Sequence, residues 1–447
     1  MEPSLLTFVH LSDLHIGQDG PAEVDRDCDP REELITDCKR VVAELDGEVT
    51  GILISGDIAH SGDPEEYRRA REWIARLCEV LGIGEENVWI VPGNHDFNRA
   101  MSTELWQSAC GQLRNCPLDE IDVYLRRYLA SDDKDILLRP LGPYHEFAAA
   151  YGCLPKGPIQ VWDEYFDLAD GLRLRIVGLN TAILADGDEY PAGNGLVVGE
   201  NAMQFLRGGE DTYELAIWHH PLAWLRDREM ARQYLDSRAV IHLFGHEHNH
   251  CLRGTGANLS VSAGALHPRR GSTGWDPRYN VIEISPPGTE PADGLDVAVI
   301  SRQWDSAQTR FAAEGGGFEI VRTSFRVGVD GAGEEGEPAL PMAPAEAVNA
   351  PSESYEDGVE QPRGRVANRQ RRLALRYARL PYVTRTFIAG SLGLVAENDG
   401  NQASFEQTRL VIERARQRGQ LSELWEAVAA EPGEAEMGPN PYEEALR

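Results

Sequence analysis

Between residue 5 and about residue 322, short apolar runs alternate with amphipathic stretches, and this alternation restricts the fold more than any other feature of the 447-residue chain. Such a pattern is typical of an α/β domain. Apolar runs predict strands at residues 5–10, 51–55, 88–91, 172–179, 213–218 and 239–244, with helices at 31–45 and 64–81 among the stretches between them. Later runs without long helical spacers predict added antiparallel strands at 258–262, 279–284, 296–302 and 318–321.

Composition excludes several classes of protein. The length suggests two or three domains, and the seven cysteines are odd in number without any CxxC spacing, which argues against a disulfide framework and a cysteine zinc site. The formal net charge is 43 − 73, or −30, so broad non-specific binding to nucleic acid is disfavoured. A phosphate substrate remains compatible with this charge because bound divalent metals reverse the local field.

Nothing in the sequence predicts a membrane segment. No apolar run approaches the roughly 18 to 20 residues that span a bilayer, and residues 1–4 lack the basic start of a signal peptide. We therefore expect no membrane contact and a cytoplasmic location.

The chain divides into segments of different composition. Residues 1–330 are expected to form the main domain, with an insertion at about 98–170 that either caps a site or is an ordinary pair of packing helices. Residues 331–362 hold eight acidic side chains, five prolines and no Lys or Arg, which predicts a linker over 331–365. Helical spacing of apolar residues predicts an all-α domain over 366–432, followed by a tail at 433–447.

Eight arginines and no acidic residue lie between positions 363 and 385. Interleaved leucines and tyrosines indicate an amphipathic helix rather than a disordered basic arm. We favour a helix face over a nucleic-acid contact, and the eight carboxylates of the neighbouring linker can neutralise the run within the same molecule.

Polar clusters follow five of the predicted strands directly. Because strand ends at one edge of a sheet converge, ligand sites form there. The clusters are Ser12-Asp13-Leu14-His15, Gly56-Asp57, Gly93-Asn94-His95-Asp96, His219-His220-Pro221 and Gly245-His246-Glu247-His248.

The residue types in these clusters are typical of metal ligands. Asp, His and Asn supply oxygen and nitrogen donors without soft sulfur, which suits Mn, Fe or Zn. Two such ions close together can deprotonate water and stabilise both oxygens of a phosphoryl transfer. Taken singly, a D-x-H pair or His219-His220 is as easily an ordinary strand end, but five clusters together favour metal binding.

The ordered set D-x-H, G-D, G-N-H-D, H-x-P and G-H-x-H resembles that of the calcineurin-like metallophosphoesterases over about residues 5–285. The resemblance implies a four-layer α/β/β/α sandwich with two divalent metal ions. It places Asp13, His15, Asp57 and His248 around one ion, with Asp57 bridging to a second ion held also by Asn94, His219 and His246. It makes His95 the catalytic histidine, supported by Asp96.

Two points depart from a simple transfer of the family pattern. The first histidine of H-x-P matches the family ligand, so we choose His219 as ligand and place His220 behind the ligands, the reverse choice staying open. The long interval between Asn94 and His219 contains the insertion, so the substrate class cannot be inherited.

The leading hypothesis is a phosphoesterase that cleaves a phosphomonoester or phosphodiester, with nucleotides among the plausible substrates and His95 as acid or transition-state stabiliser. The alternatives are a nuclease, with DNA or RNA only as substrate, and a non-catalytic binding module with a structural metal site. Deletion after about residue 331 discriminates, since an enzyme is expected to keep its turnover.

Residues 366–432 resemble the small helical effector-associated domains of bacterial defence enzymes, through Leu380-Pro381, residues 388–394 and residues 414–425. This resemblance implies a protein partner with a like helical domain and recruitment to a signalling assembly. The alternative is a plain helical appendage that dimerises or covers the enzyme.

Overall fold

The architecture is that of a computed structural model. It describes residues 5–18, 28–45, 47–129, 135–153, 155, 159–169, 171–186, 195–209, 211–246, 251–266, 277–287, 294–313, 319–328, 363–396, 399, 404–431, 437 and 440–442. Residues 331–362 of the expected linker and most of the expected tail lie outside these residues.

In chain order the strands and α-helices are β1 (Leu6–Leu11), α1 (Cys28–Val42), β2 (Gly51–Ile54), α2 (Pro64–Leu81), β3 (Val88–Ile90), α3 (Glu104–Asn115), α4 (Ile121–Leu129), α5 (Asp135–Leu138), α6 (Gly142–Ala150), β4 (Val161–Asp167), β5 (Arg173–Leu179), α7 (Glu200–Gln204), β6 (Thr212–Ile217), α8 (Arg228–Arg238), β7 (Ile241–Phe244), β8 (Leu252–Gly254), β9 (Leu259–Ser262), β10 (Arg278–Ser285), β11 (Leu295–Asp305), β12 (Arg310–Ala313), β13 (Arg322–Val327), α9 (Arg363–Arg379), α10 (Tyr382–Ser391), α11 (Ser404–Gln417) and α12 (Leu421–Ala429).

The strands form two mixed sheets. The first has the order β12-β11-β10-β1-β2-β3, with β13 pairing with β11, and the second has the order β4-β5-β6-β7-β9-β8. In the first sheet β1, β2 and β3 are parallel, and in the second β5, β6, β7 and β9 are parallel. The antiparallel strands lie outside these parallel centres.

Side-chain alternation along the strands builds two cores. In β5, Ile176 lies in the core shared by both sheets, whereas its neighbour Val177 lies in a second core on the opposite face. The shared core also holds residues of α1, α2 and α6, and the second core holds residues of α3, α4, α7 and α8. The expected four-layer α/β/β/α sandwich is therefore confirmed.

The stretch from 98 to 170 contains α3 to α6 and also β4, which pairs antiparallel with β5. Arg114 and Arg226 fasten this stretch to the second sheet. Arg114 donates to the Leu184 carbonyl, and Arg226 donates to the Cys116 carbonyl at 2.7 Å. The helices α3 and α4 thus pack on the second sheet.

The C-terminal helices α9 to α12 form an all-helical segment with its own small core, as expected. The core includes Leu373 and Tyr377 of α9, Val411 of α11 and Trp425 of α12. Helix α9 begins at Arg363, within the segment assigned to the linker.

Helix α9 is docked against β3 of the first sheet and β4 of the second sheet through a buried arginine. The Arg371 guanidinium donates to the Glu164 carboxylate at 3.1 Å, to the Val88 carbonyl at 2.7 Å and to the Tyr151 carbonyl. Its central carbon lies 4.7 Å from the centroid of the Trp89 ring. One side chain of the C-terminal segment therefore contacts β3, β4 and the end of α6.

Further contacts extend this docking surface. Arg372 pairs with Glu86 at 3.3 Å, Arg379 pairs with Glu85, and Leu375 belongs to the core shared by the two sheets. Arg372 and Arg379 therefore pair with acidic side chains of the main domain, whereas the linker carboxylates expected to neutralise the run lie outside the described residues.

Most predicted strands are present within a residue or two, with two kinds of difference. Strands β4, β8, β12 and β13 were not predicted, and the predicted strand at 318–321 is absent at residues 319–321, where the run is described. Six cysteines are described as free thiols, five of them buried. Within the described parts of the chain, no helix is long and apolar enough to cross a membrane.

Candidate metal centre

Loops from both sheets meet at one edge of the sandwich. The loops after β1 and β2 are joined by hydrogen bonds from the Asp13 amide to the Gly56 carbonyl and from the His15 amide to the Asp57 carbonyl, both 3.0 Å. These loops follow adjacent parallel strands, so their polar residues emerge side by side. Across the gap between the sheets, Nδ1 of His219 lies 2.7 Å from the Ser55 carbonyl oxygen.

Backbone strain is concentrated at this edge. Asp13, His15, Asp57 and His246 have φ of 54°, 42°, 53° and 64°, and they are four of the six non-glycine residues with positive φ in the described chain. Left-handed conformations cost free energy in such residues and cluster at functional sites. The conformation aims these side chains inward at the expense of local stability.

Glycine is required where the loops approach most closely. A Cβ atom on Gly93 would lie 2.1 Å from Asp57 Oδ1, and one on Gly56 would lie 2.5 Å from His219 Nδ1. No side chain fits at such distances. The two glycines therefore set how near the loops can bring Asp57 and His219.

One group of potential ligands consists of Asp13, His15 and Asp57, all buried. The His15 Nε2 atom lies 3.7 Å from Asp13 Oδ1 and 3.6 Å from Asp57 Oδ2. Burial opposes the charge on Asp13, but contact with His15 and the nearby His219 lower the pKa of Asp13 to about 2. Burial lowers the pKa of His15 to about 4, against the influence of Asp13.

A second group lies beside the first and shares Asp57 with it. His219 Nε2 is 3.2 Å from Asp57 Oδ2, and His246 Nδ1 is 3.1 Å from Asn94 Oδ1. The His219 and His246 rings contact edge to face, with centroids 5.2 Å apart. The described residues of the two expected ligand sets thus lie side by side.

The donor set fits divalent cations. A carbonyl only accepts, so the contact with Ser55 requires His219 to carry its hydrogen on Nδ1. Its Nε2 then faces the Asp57 carboxylate, where two lone pairs repel unless a proton or a cation lies between them. Burial disfavours charge on His219, yet Asp57 raises its pKa to about 9, and His219 and His95 together hold the pKa of Asp57 well below its usual range.

The His220 ring packs edge to face on the His219 ring, with centroids 4.8 Å apart. Its Nδ1 is 2.9 Å from the Thr181 hydroxyl, and its buried Nε2 has no hydrogen-bond partner among the described residues. Its ring is 5.1 Å from the His246 ring. Burial, followed by the charges of His219 and His246, holds the pKa of His220 well below its usual value, so it is a neutral neighbour of the centre.

Six of the seven residues expected as ligands are described, and they lie together; the seventh, His248, falls outside the described residues. Side chains whose ligand atoms all lie within 4.8 Å of one another form three groups: Asp13, His15 and Asp57; His219, His220 and His246; His15, His60 and His95. The assignment of individual ligands remains a prediction.

His95 stands at the border of the first group. Its ring meets that of His15 edge to face, with centroids 4.4 Å apart, and its amide donates to Asp57 Oδ1 at 2.8 Å. Its Nδ1 lies 2.8 Å from the His60 carbonyl oxygen. The acceptor for the His95 ring is therefore a backbone carbonyl.

Asp96 holds the loops together from below. Its buried carboxylate accepts hydrogen bonds from the amides of Ile58, Ala59 and Gly93 and from the Tyr67 hydroxyl at 2.9 Å. These donors belong to the loops after β2 and β3 and to α2. Asp96 thus acts on loop geometry, and the expected support of His95 passes through the backbone.

Two nearby residues were missed by the sequence analysis. His60 stacks on His95, and the half-buried Trp224 packs edge to face on His246 with centroids 4.3 Å apart. His60 lies only three positions after Asp57, and this short spacing was the one feature of the sequence that could have indicated its proximity to the site. Trp224 follows the H-x-P cluster, but nothing in its sequence context indicates a contact with a distant histidine.

Two family models match the chain. The model described as calcineurin-like phosphoesterase matches residues 6–250, more than half of the chain, and the model described as GTPase-associated adaptor domain matches residues 369–430. The second match confirms that the C-terminal helices resemble a small associated domain, and the description of that domain is an adaptor.

Among curated proteins, the uncharacterized metallophosphoesterase-like protein YydB of Bacillus subtilis is 26% identical over 253 residues, covering 54% of this chain and 48% of that protein. The glycerophosphodiester phosphodiesterase GpdQ of Enterobacter lignolyticus is 35% identical over 98 residues, covering 21% of this chain and 32% of that protein. The matches span less than half the length of these relatives. Among solved structures, GAP50, the anchor in the inner membrane complex of Plasmodium, aligns with a TM-score of 0.39 and 12% identity, covering 73% of this chain and 90% of that one.

Proposed function

The chain belongs to the calcineurin-like phosphoesterase family, and we propose that it is a dinuclear-metal hydrolase of phosphomonoesters or phosphodiesters, nucleotides included. The observation that carries the proposal is the shared position of Asp57 between two groups of donors. A phosphodiester substrate is supported further by the likeness to a glycerophosphodiester phosphodiesterase.

In this proposal Asp13, His15, Asp57 and His248 hold one ion, and Asp57, Asn94, His219 and His246 hold the second. The ions would be Mn, Fe or Zn, which such donors accommodate. When bound, they supply a nucleophile at neutral pH by lowering the pKa of water, and they neutralise charge on the phosphoryl oxygens.

The protein's own groups supply a proton to the leaving oxygen and hold the reacting residues at a fixed spacing. In its imidazolium form His95 would donate the Nε2 proton to the leaving oxygen while its Nδ1 hydrogen is held by the His60 carbonyl, and the neutral ring left behind would regain its proton from water. Asp57 Oδ1 holds the His95 amide, so the histidine and the shared carboxylate keep a fixed spacing. Asp96 maintains that spacing through the three loop amides it accepts.

The test is hydrolysis of a chromogenic phosphodiester and a chromogenic phosphomonoester with Mn²⁺ present. The wild type is expected to turn over at least one of them, and Asp57→Asn is expected to fall to background because both groups lose a ligand. Asp119→Asn, an exposed carboxylate in the turn after α3, is the matched control. Equal rates for the wild type and Asp57→Asn across Mn²⁺, Fe²⁺ and Zn²⁺ would refute the proposal.

Single-stranded DNA, single-stranded RNA and mono-, di- and cyclic nucleotides should be assayed as substrates in the same metal buffer. A polynucleotide preference would favour the nuclease alternative, which the net charge of −30 disfavours. Elemental analysis of the same preparation gives the number and identity of the metals.

The C-terminal helices are proposed to bind a protein partner and to recruit the enzyme to a signalling or defence assembly. The adaptor-domain match supports this role. Tyr382, Val383 and Phe387 of α10 support it too, since they are 54%, 78% and 72% exposed, and Val383 and Phe387, four positions apart, lie on the same helical face. Co-purification with a tagged chain from its own host should yield a GTPase or a protein with a like helical domain, and Phe387→Asp should lose it. An identical set of proteins with both chains would contradict the role.

A further inference from the structure

His60 lies three positions after Asp57, in the loop that follows β2, and it contacts His95 in two ways. We propose that His60 is a positioning residue for His95, fixing both the tautomer and the plane of its imidazole. The inference rests on the proposed phosphoester hydrolysis for its catalytic consequence, although the geometry it concerns is testable without turnover.

The tautomer is fixed by the backbone of His60. Because a carbonyl oxygen only accepts hydrogen bonds, the 2.8 Å contact with His95 Nδ1 places a hydrogen on that nitrogen. The other ring nitrogen, Nε2, is then the atom that exchanges a proton with a substrate. A backbone acceptor imposes this tautomer whatever the side chain at position 60.

The plane is fixed by the side chain of His60. The His60 and His95 rings are stacked, with centroids 5.3 Å apart and planes inclined by 29°. The His15 ring meets the His95 ring edge to face at 77°. With a ring stacked on it and another ring set against it, the His95 imidazole cannot turn about its Cβ–Cγ bond without losing a contact.

His60 is itself held rigidly. Its amide donates to the Ile16 carbonyl at 3.3 Å, and two residues later the Gly62 carbonyl accepts from the Asn98 side chain at 3.0 Å. Gly62 has φ of +65°, and a Cβ there would lie 2.8 Å from the Asn98 amide. The loop that carries His60 is thus anchored to the loop after β1 and to the segment just beyond His95, as a support for a catalytic group must be.

Two substitutions of His60 distinguish the effect of its aromatic ring from the effect of its ring nitrogens. His60→Phe keeps an aromatic face over His95, whereas His60→Ala removes it. Since general acid catalysis contributes about 10²- to 10⁴-fold, we expect His60→Ala to lower kcat about tenfold or more for an ester with a poor alkyl leaving group. The loss should be under about threefold for 4-nitrophenolate, which needs little protonation, and His60→Phe should restore most of the alkyl-ester rate.

A second readout does not depend on turnover. Histidine-selective ¹⁵N labelling of the full-length chain, with diamagnetic Zn²⁺ and again after chelation, reports the Nδ1 hydrogen of His95, which a His95→Gln variant identifies. We expect one sharp, slowly exchanging Nδ1–H signal in the wild type and in His60→Phe. In His60→Ala the signal should broaden or exchange rapidly because the ring can turn.

The outcomes divide cleanly. An unchanged signal together with unchanged alkyl-ester turnover in His60→Ala would overturn the proposal. It would be overturned equally if His60→Phe lost as much activity as His60→Ala with the signal intact, since His60 would then act on the substrate through its nitrogens. Absence of phosphoesterase activity in the wild type would refute the proposed function alone, because the spectra still decide the positioning role.

Discussion

At the scale of single residues, the candidate metal centre is an arrangement of buried acids and histidines in strained backbone. Asp57 Oδ2 lies 3.6 Å from His15 Nε2 and 3.2 Å from His219 Nε2, so this one oxygen contacts a histidine of each group. Water cannot compensate buried charges of this kind, and only a counter-charge at short range can. The arrangement is therefore suited to cations.

The choice between the two adjacent histidines gives a first prediction. His219→Gln should reduce the metal content from about two ions per chain to about one, because His219 directs Nε2 at the shared carboxylate. His220→Gln, the neighbouring control, should leave the content near two, since the Nδ1 atom of His220 is engaged by the Thr181 hydroxyl and we expect His219 to be the ligand. Elemental analysis of the purified variants measures both, and the reverse result would reassign the ligand.

The second prediction compares Gly93, in the loop after β3, with a control glycine in α3. Gly93→Ala forces a Cβ within 2.1 Å of Asp57 Oδ1, and we expect it to lower the free energy of unfolding by about 1–3 kcal/mol and to abolish hydrolysis. Gly111→Ala in α3 meets no atom within 4 Å and should raise that free energy by about 0.5–1 kcal/mol. Urea unfolding measures the two changes, and a stable, active Gly93→Ala would show that the loops can separate.

The residues of the centre were predictable because their chemistry is local in sequence. Each cluster follows a strand, and parallel strand ends meet, so proximity of Asp13, Asn94 and His246 followed from order alone. The acceptor for His95 was not predictable, because it is the carbonyl of His60 and a carbonyl carries no residue identity.

At the scale of elements, the edge strand β3 is held by side chains of α9 and β4. Its C-terminal end leads to Asn94 and His95, while the Val88 carbonyl near its start accepts from Arg371 of α9. The Ile90 carbonyl accepts from the Trp162 indole at 2.9 Å. A helix of the C-terminal segment thus supports a strand that carries two residues of the centre.

This contact supplies the third prediction. Arg371→Met leaves the Glu164 carboxylate and two carbonyls without their donor, and breaking such a buried pair should cost about 3 kcal/mol of unfolding free energy. Arg372→Met, its neighbour, removes a pair in which the arginine is 46% exposed and should cost about 0.5 kcal/mol or less. Urea unfolding of the full chain compares them, and equal losses would mean that Arg371 is not an anchor.

Elements were missed where their stabilising partners are remote. Strand β4 carries Asp163 and Glu164, which look unlike a buried strand until Arg175 and Arg371 are seen to pair with them at 2.9 and 3.1 Å. The last strand, β13, is likewise polar, and Arg322 pairs with Glu283 across the sheet at 2.7 Å. Apolar periodicity cannot detect strands that are held by cross-strand ion pairs.

At the scale of the whole molecule, the C-terminal helices and the sandwich share one packed boundary. Leu375 lies in the core shared by the two sheets, and Arg379 pairs with Glu85 just before β3. This changes the expectation for deletion after residue 331, because the deletion would uncover Trp89 and leave Glu164 unpaired. Loss of turnover on deletion would then reflect lost stability as well as lost partner binding.

The fourth prediction avoids deletion. If a specific protease site replaces residues 340–346, cleavage should leave both fragments in one peak on size exclusion, because the α9 contacts do not depend on an intact chain. The same cleavage in the Arg371→Met background should release the C-terminal fragment at low concentration. Separation of the wild-type fragments at micromolar concentration would show that docking through α9 is weak.

The Arg371 anchor has an evolutionary consequence. Appendages joined only by a tether can be exchanged freely between proteins, since any recipient will accept them. Here the recipient must also present a receptor for the guanidinium: an acidic side chain at position 164, an indole at position 89 and two inward carbonyls. Fusing these helices to an unrelated hydrolase would therefore transfer them without the residues that bind Arg371. Among related chains that keep this contact, positions 89, 164 and 371 should vary together.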